Sequence, residues 1–211
     1  MEAVTLSQYA SQFMSVTVIA IFMAISPGAD FAMITRNSLL YRRRAGLCSA
    51  LGVSVAIWVH VGYSIAGLAV IIANSPMAYT VIKYCGAAYL IYMGVTTIMS
   101  RHTIQAATSQ GTMNALSAFK TGFLTNALNP KTTVFFLSIF TQVVDRATPV
   151  GIQLVYGAII SMAHLVWFSG VALFLTHPKL LRAFNNARHI IEGVVGVVLI
   201  GFGVKIALLG S

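Results

Sequence analysis

Apolar residues fall into six long runs, separated by short stretches where polar and charged residues collect. The runs cover about Phe13 to Thr35, Leu47 to Ala73, Met77 to Met99, Ala118 to Val143, Val150 to Leu175 and Ile190 to Leu209. Each is close to the ~20 residues that a helix needs to cross a bilayer. The pattern predicts an all-α membrane protein with six transmembrane helices. The first run reads as a retained span, because Met1-Glu2-Ala3-Val4 lacks the basic region that opens a cleaved signal peptide.

Two runs are interrupted. Ser26-Pro27-Gly28-Ala29-Asp30 lies inside the first and Asn129-Pro130-Lys131 near the middle of the fourth. Proline removes a backbone donor and clashes with the preceding turn. A charged side chain such as that of Asp30 at bilayer depth costs roughly 2.5–3.5 kcal/mol on insertion scales. Helices 1 and 4 are therefore expected to be discontinuous.

The two breaks are one sign of a duplication. Pro27 falls on Pro130 at an offset of 103, His60 on His164 at 104, and Gly86 and Gly94 on Gly193 and Gly201 at 107. Three spans per half is an odd number, so the second half enters the membrane from the opposite side. The expected organisation is a first three-helix repeat over 1–99, a polar cytoplasmic linker over 100–116, and a second, inverted repeat over 117–211. Chance alignment of glycines and prolines, which are common in membrane helices, is the plainer alternative. Inverted repeats with broken helices at matching positions are the pattern of secondary transporters, with substrate bound at the breaks near the midplane.

Composition fits a membrane protein: of 211 residues 58% are hydrophobic and 8% charged, with mean hydropathy +0.86, against about 25% charged in soluble domains. The net charge of +9 acts as an orientation signal and does not point to nucleic acid. Arg36 and Arg42–Arg44, then Arg101 and Lys120, then Lys179, Arg182 and Arg188 follow spans one, three and five. The positive-inside rule makes those loops cytoplasmic and both termini periplasmic. The two cysteines, Cys48 and Cys85, lie apart in apolar contexts and predict neither a disulfide framework nor a metal site. No nucleotide-binding loop or Ser/His/Asp set suggests an enzyme, and no cofactor is expected.

At each break the residues suit a half-helix that starts inside the membrane. Ser26 is a good N-cap with Pro27 at the first helical position, and Asn129 with Pro130 repeats the arrangement. Two such N-termini, with amides such as those of Gly28 and Ala29 and the charge of Lys131, offer a seat for a carboxylate. Asp30, read as the only deep carboxylate, has two candidate partners: a substrate ammonium, or Lys131 in a resting pair. It is also a candidate proton carrier. Asn126 and Thr125, a turn before the second break, would cap freed carbonyls. His60 and His164 are proton-relay candidates, with hydrogen bonding in helix packing as the plainer role. Proline kinks that only shape packing are the plainer account of the breaks themselves.

These motifs resemble a known family. Ser26-Pro27-Gly28-Ala29-Asp30 with the basic loop behind it, Asn126-Ala127-Leu128-Asn129-Pro130-Lys131 opening a Phe-rich run, and the six-span layout look like the LysE/RhtB amino-acid exporters. The first motif is closer to the S-P-G-P of the homoserine and threonine exporter branch than to the G-P-Q-N of the lysine branch, with Ala29 in place of the second proline. The resemblance implies a bacterial inner-membrane exporter of small amino acids or their derivatives, working by proton antiport, with self-association left open. It places the substrate at Ser26, Pro27, Gly28 and Asp30 in the first motif and at Asn126, Asn129, Pro130 and Lys131 in the second. Rival readings are a metal-cation exporter of the same superfamily and a transmembrane thiol-disulfide relay, which would need cysteines at the breaks.

Overall fold

The computed structural model describes residues 9–26, 28–99, 111–144, 148–174 and 176–209. Pro27, the first eight residues, the linker over 100–110 and Asp145-Arg146-Ala147 lie outside the described residues. Seven helices follow in order: α1 (Ala10–Ile25), α2 (Ala29–Asn74), α3 (Pro76–Met99), α4 (Ala115–Ala127), α5 (Pro130–Val143), α6 (Val150–Phe174) and α7 (Pro178–Leu209). All regular structure among the described residues is helical. Four stretches, Ala29–Gly67, Thr80–Met99, Val150–Phe174 and Lys179–Leu208, are long and apolar enough to cross a membrane. The first and fourth apolar runs are interrupted as expected, between α1 and α2 and between α4 and α5.

The expected basic loop from Arg36 to Arg44 is much shorter in the structure. Arg36 stays helical, and only Tyr41 and Arg42 leave helical geometry, Arg42 with φ 72° and ψ 166°. That region is nearly reserved for glycine and costs on the order of 1–3 kcal/mol. The two limbs of α2 that meet there, 29–40 and 43–74, pack on one another. Phe31 and Ile34 meet Ala50 and Val53, and Asn37 Nδ2 donates to Ser49 Oγ at 3.0 Å. At the other end, α2 stops at Asn74 and α3 starts at Pro76, with Ser75 Oγ accepting from the Ala78 amide at 3.1 Å.

α5 is the centre of the packing. Its Phe135, Phe136, Ile139 and Phe140 are buried among Val16, Ile19 and Met23 of α1, Leu90 of α3, Tyr156 and Ile160 of α6 and Leu199 of α7. The outer surface is apolar, with Val155, Val166, Val197 and Tyr92 exposed, as a lipid-facing wall requires.

Because lipid is as apolar as the side chains, burial alone does little to hold such helices together, and close contact at small residues matters more. A Cβ on Gly94 would stand 2.5 Å from the Gly196 carbonyl oxygen, and one on Gly203 would stand 2.7 Å from that of Ala87. α3 and α7 therefore run antiparallel in near-backbone contact. Gly52 and Gly122 seat α2 against α4 in the same way, on Phe119 and Ser49. Gly193 and Gly201, the positions the repeat alignment matched to Gly86 and Gly94, have open space beside them. The packing role falls to Gly196 and Gly203 because those residues lie on the α7 face turned towards α3.

Two further expectations are corrected in α7. Arg188 belongs to the helix and not to a basic loop, and Asp30 is not the only deep carboxylate. Arg188 Nε donates to Glu192 Oε1 at 2.5 Å, one helical turn along, and both residues are buried. The pair neutralises two charges that the interior would otherwise reject.

Candidate functional site

The α1/α2 break meets the α4/α5 break inside the bundle, and each supplies the partner of a charge on the other. Asp30, in the first turn of α2, is 8% exposed. Its Oδ2 accepts from Asn126 Nδ2 and Asn129 Nδ2, both at 3.0 Å. A carboxylate in the first turn also gains from the helix dipole. Its other oxygen, Oδ1, is buried with no hydrogen-bond partner.

Lys131, at the start of α5, reaches the opposite way. Its Nζ donates to the Ser26 carbonyl at 3.0 Å and to Ser26 Oγ at 2.9 Å. Ser26 ends α1, so the ammonium sits where a helix end leaves carbonyls exposed. Gly28 makes room for it, since a Cβ there would stand 3.2 Å from Nζ. Of the two candidate partners of Asp30, Lys131 reaches Ser26, and each of the two charges bonds the opposite break.

Local geometry at the second break follows the sequence. Asn129 Oδ1 accepts from the Lys131 amide at 3.0 Å, and Pro130 takes the first helical position, where no donor is needed. At the first break the expectation is corrected. α2 begins at Ala29, with the Gly28 carbonyl accepting from Ala32 at 3.0 Å. Ser26 does not cap it, because its hydroxyl is engaged by Lys131, with Thr97 Oγ1 3.4 Å away.

Asn126 is not the carbonyl cap it was expected to be. Its side chain holds Asp30, and its own carbonyl accepts both from the Asn129 amide at 2.9 Å and from His60 Nε2 at 3.0 Å. A carbonyl can only accept, so the neutral His60 ring carries its proton on Nε2 and Nδ1 accepts from Tyr63 Oη at 2.5 Å. The ring stacks on Phe136, with centroids 5.3 Å apart. His164 has the other tautomer: its Nδ1 donates to the Ile160 carbonyl at 2.8 Å, which leaves Nε2 as an acceptor. Of the two histidines, His164 borders the cavity between the breaks.

That cavity is about 10 Å³, room for about one water. Ser26, Gly28, Asp30, Asn129 and Lys131 line it beside His164, with Thr132 and the apolar Met23, Phe31 and Phe168. Phe31 stacks on Phe184 of α7 at 5.5 Å. The site is thus closed in this conformation and too small for an amino acid.

A family model described as "LysE type translocator" matches residues 21–210. The chain belongs to the LysE type translocator family. Among its relatives, an uncharacterized membrane protein YrhP of Bacillus subtilis is 30% identical over 200 residues, covering 90% of this chain and 95% of that protein. A threonine efflux protein of Salmonella typhi is 28% identical, covering 93% and 97%. A leucine efflux protein of Salmonella choleraesuis is 27% identical, covering 91% and 92%. No solved structure matches.

In this LysE type translocator, seven of the eight residues named for substrate come from the described part of the breaks, Pro27 being the eighth. Asn126 is in the cluster through its bond to Asp30 and Pro130 as the start of α5. Sequence reasoning missed the apolar walls Met23, Phe31 and Phe168, and also Thr132 and Thr97. In an apolar run such residues carry no signal, because nothing local distinguishes one facing a cavity from one facing lipid. Neither Cys48 nor Cys85 lines the cavity.

Proposed function

We propose that this translocator exports small amino acids of the threonine or homoserine type across the bacterial inner membrane, in exchange for protons. The observation that carries the reading is the buried, unpartnered Asp30 Oδ1 in a closed cavity that also holds the Lys131 ammonium. A zwitterion complements such a pair. Its ammonium takes the vacant lone pair of Asp30, and its carboxylate draws Lys131 away from Ser26. The first contact fills a vacant site and the second replaces neutral partners with a full charge, in a dry site where charge-assisted bonds are roughly twice as strong as neutral ones. When the amino acid leaves, a proton on Asp30 replaces the ammonium and lets the empty carrier return without an unpaired charge. Names of relatives support the substrate class: they include proteins called threonine efflux and leucine efflux proteins.

The moving parts are two inverted three-helix repeats, 1–99 and 117–211, with both termini periplasmic. Two contacts support the two-fold relation. Ser54 Oγ donates to the Ser161 carbonyl at 3.2 Å and Ser161 Oγ to the Ser54 carbonyl at 2.9 Å, a reciprocal pair such as an axis between α2 and α6 produces. The packing of α1 on α6 is mirrored by that of α4 on α2. Opening the 10 Å³ cavity to either side requires one repeat to rock against the other.

A panel of radiolabelled amino acids in inverted vesicles, with and without a pH gradient, tests the proposal. A subset should accumulate, faster with the gradient. If no amino acid accumulates above protein-free vesicles, the export reading is wrong; if accumulation ignores the gradient, the proton step is wrong.

A further inference from the structure

A second polar cavity lies at the end of the bundle away from Arg42, Arg43 and Arg44. It measures about 320 Å³ and is bounded by Ser11, Gln12 and Ser15 of α1, Lys83 of α3, Gln142 of α5 and Lys205 of α7. Three features distinguish it from an ordinary wet surface. First, Lys83 and Lys205 are the basic side chains that the described residues place at this end, against the trend that collects such charges on the other side, and both line this one cavity. Second, they are held level: the antiparallel register fixed by Gly94 on Gly196 and Gly203 on Ala87 sets Lys83 opposite the α7 turn that carries Lys205. Third, the cavity sits over the central site. Ile19 lies in its floor, and Met23, one turn further along the buried face of α1, lines the closed cavity around Asp30. A single turn, about 6 Å of apolar side chain, separates the two.

We propose that this basin is an exit station that receives the carboxylate of the departing amino acid on Lys83 and Lys205, once the Ile19–Met23 layer parts. Its size is at the lower end of small-molecule pockets, about 300–1,000 Å³, which suits a single amino acid. The hydroxyls of Ser11 and Ser15 and the amides of Gln12 and Gln142 are neutral partners for the rest of a polar ligand. Gln12 is itself fixed, by accepting from the Tyr156 hydroxyl. This inference rests on the export reading for the identity of its ligand.

The test is protection of lysines from an amine-directed acylating reagent in the purified full-length protein, read residue by residue by mass spectrometry. Lys83 and Lys205 should label more slowly with threonine or N-acetylthreonine present, and at the same rate with threonine amide, which lacks the carboxylate; Lys179 serves as the unprotected control. In export assays, replacing both lysines by glutamine should weaken inhibition by external threonine about fivefold, the scale of two partly exposed ion pairs, and Lys83→Arg with Lys205→Arg should retain it. Equal labelling with and without carboxylates overturns the basin. Equal protection by acetate and threonine makes it a general anion site and overturns the exit role. If the protein exports nothing but N-acetylthreonine still protects, the export reading fails while the carboxylate site stands; Asp30-dependent export without protection gives the reverse.

Discussion

Replacing Asp30 by Asn changes little in shape and removes one negative charge, so it separates folding from function. The new amide oxygen can keep the position of Oδ2, between Asn126 and Asn129 at 3.0 Å. Hydrogen bonds to a charged acceptor contribute about 1.5–3 kcal/mol and neutral ones about 1, so the two bonds lose on the order of 1–4 kcal/mol together. Relief from burying the charge offsets much of that loss. The variant should therefore insert and elute like the wild type. For a bound zwitterion the effect is larger, because the new NH2 group fills the place of Oδ1 and presents hydrogens to the ammonium. Truncating one partner of a buried, hydrogen-bonded charge pair costs about 2–5 kcal/mol, or about thirtyfold to a few thousandfold in affinity. Threonine counterflow in proteoliposomes measures this without a pH gradient. Wild-type counterflow by Asp30→Asn, in protein of wild-type elution profile, refutes the ammonium role. Retained counterflow with lost response to a pH gradient leaves Asp30 the proton and removes the ammonium.

Other predictions follow from the packing and the buried charges. Gly122→Ala drives a methyl into the Ser49 backbone and should destabilise by about 1–3 kcal/mol, whereas Gly62→Ala, with open space beside it, should leave the thermal midpoint of the solubilised protein unchanged. His60→Ala removes one of the two donors on the Asn126 carbonyl, the Asn129 amide remaining at 2.9 Å, and should cost about 1 kcal/mol for that bond, seen as a lower thermal midpoint along with slower transport. Glu192→Gln leaves Arg188 buried without its counter-charge and should cost about 3–5 kcal/mol, while the double change Arg188→Met, Glu192→Leu should recover most of it. A double variant as unstable as Glu192→Gln alone would mean that the pair is not what matters there.

What the sequence determined is what one chain segment can express by itself. Six apolar runs of about twenty residues require helices, since lipid admits only helices and closed barrels and a barrel strand is about half that length and alternates in polarity. Proline, glycine and a capping asparagine break two of them wherever they occur, and Asn129 caps α5 as its type dictates. The charges of Asp30 and Lys131 marked those breaks as the place to look, and the motifs around them identify the family. What the sequence left open are the relations between segments. That Asn126 and Asn129 hold Asp30 while Lys131 crosses to Ser26 depends on the approach of two breaks some hundred residues apart. His60 reaches the Asn126 carbonyl because α2 lies against α4. Gly196 and Gly203, and not the aligned Gly193 and Gly201, make the tight contact because helix rotation selects the buried face. Glu192 is hidden only because Arg188, one turn away, is hidden with it. The closure of the central cavity and the basin above it are properties of the spaces between helices, and side chains of one helix do not encode the distance to the next.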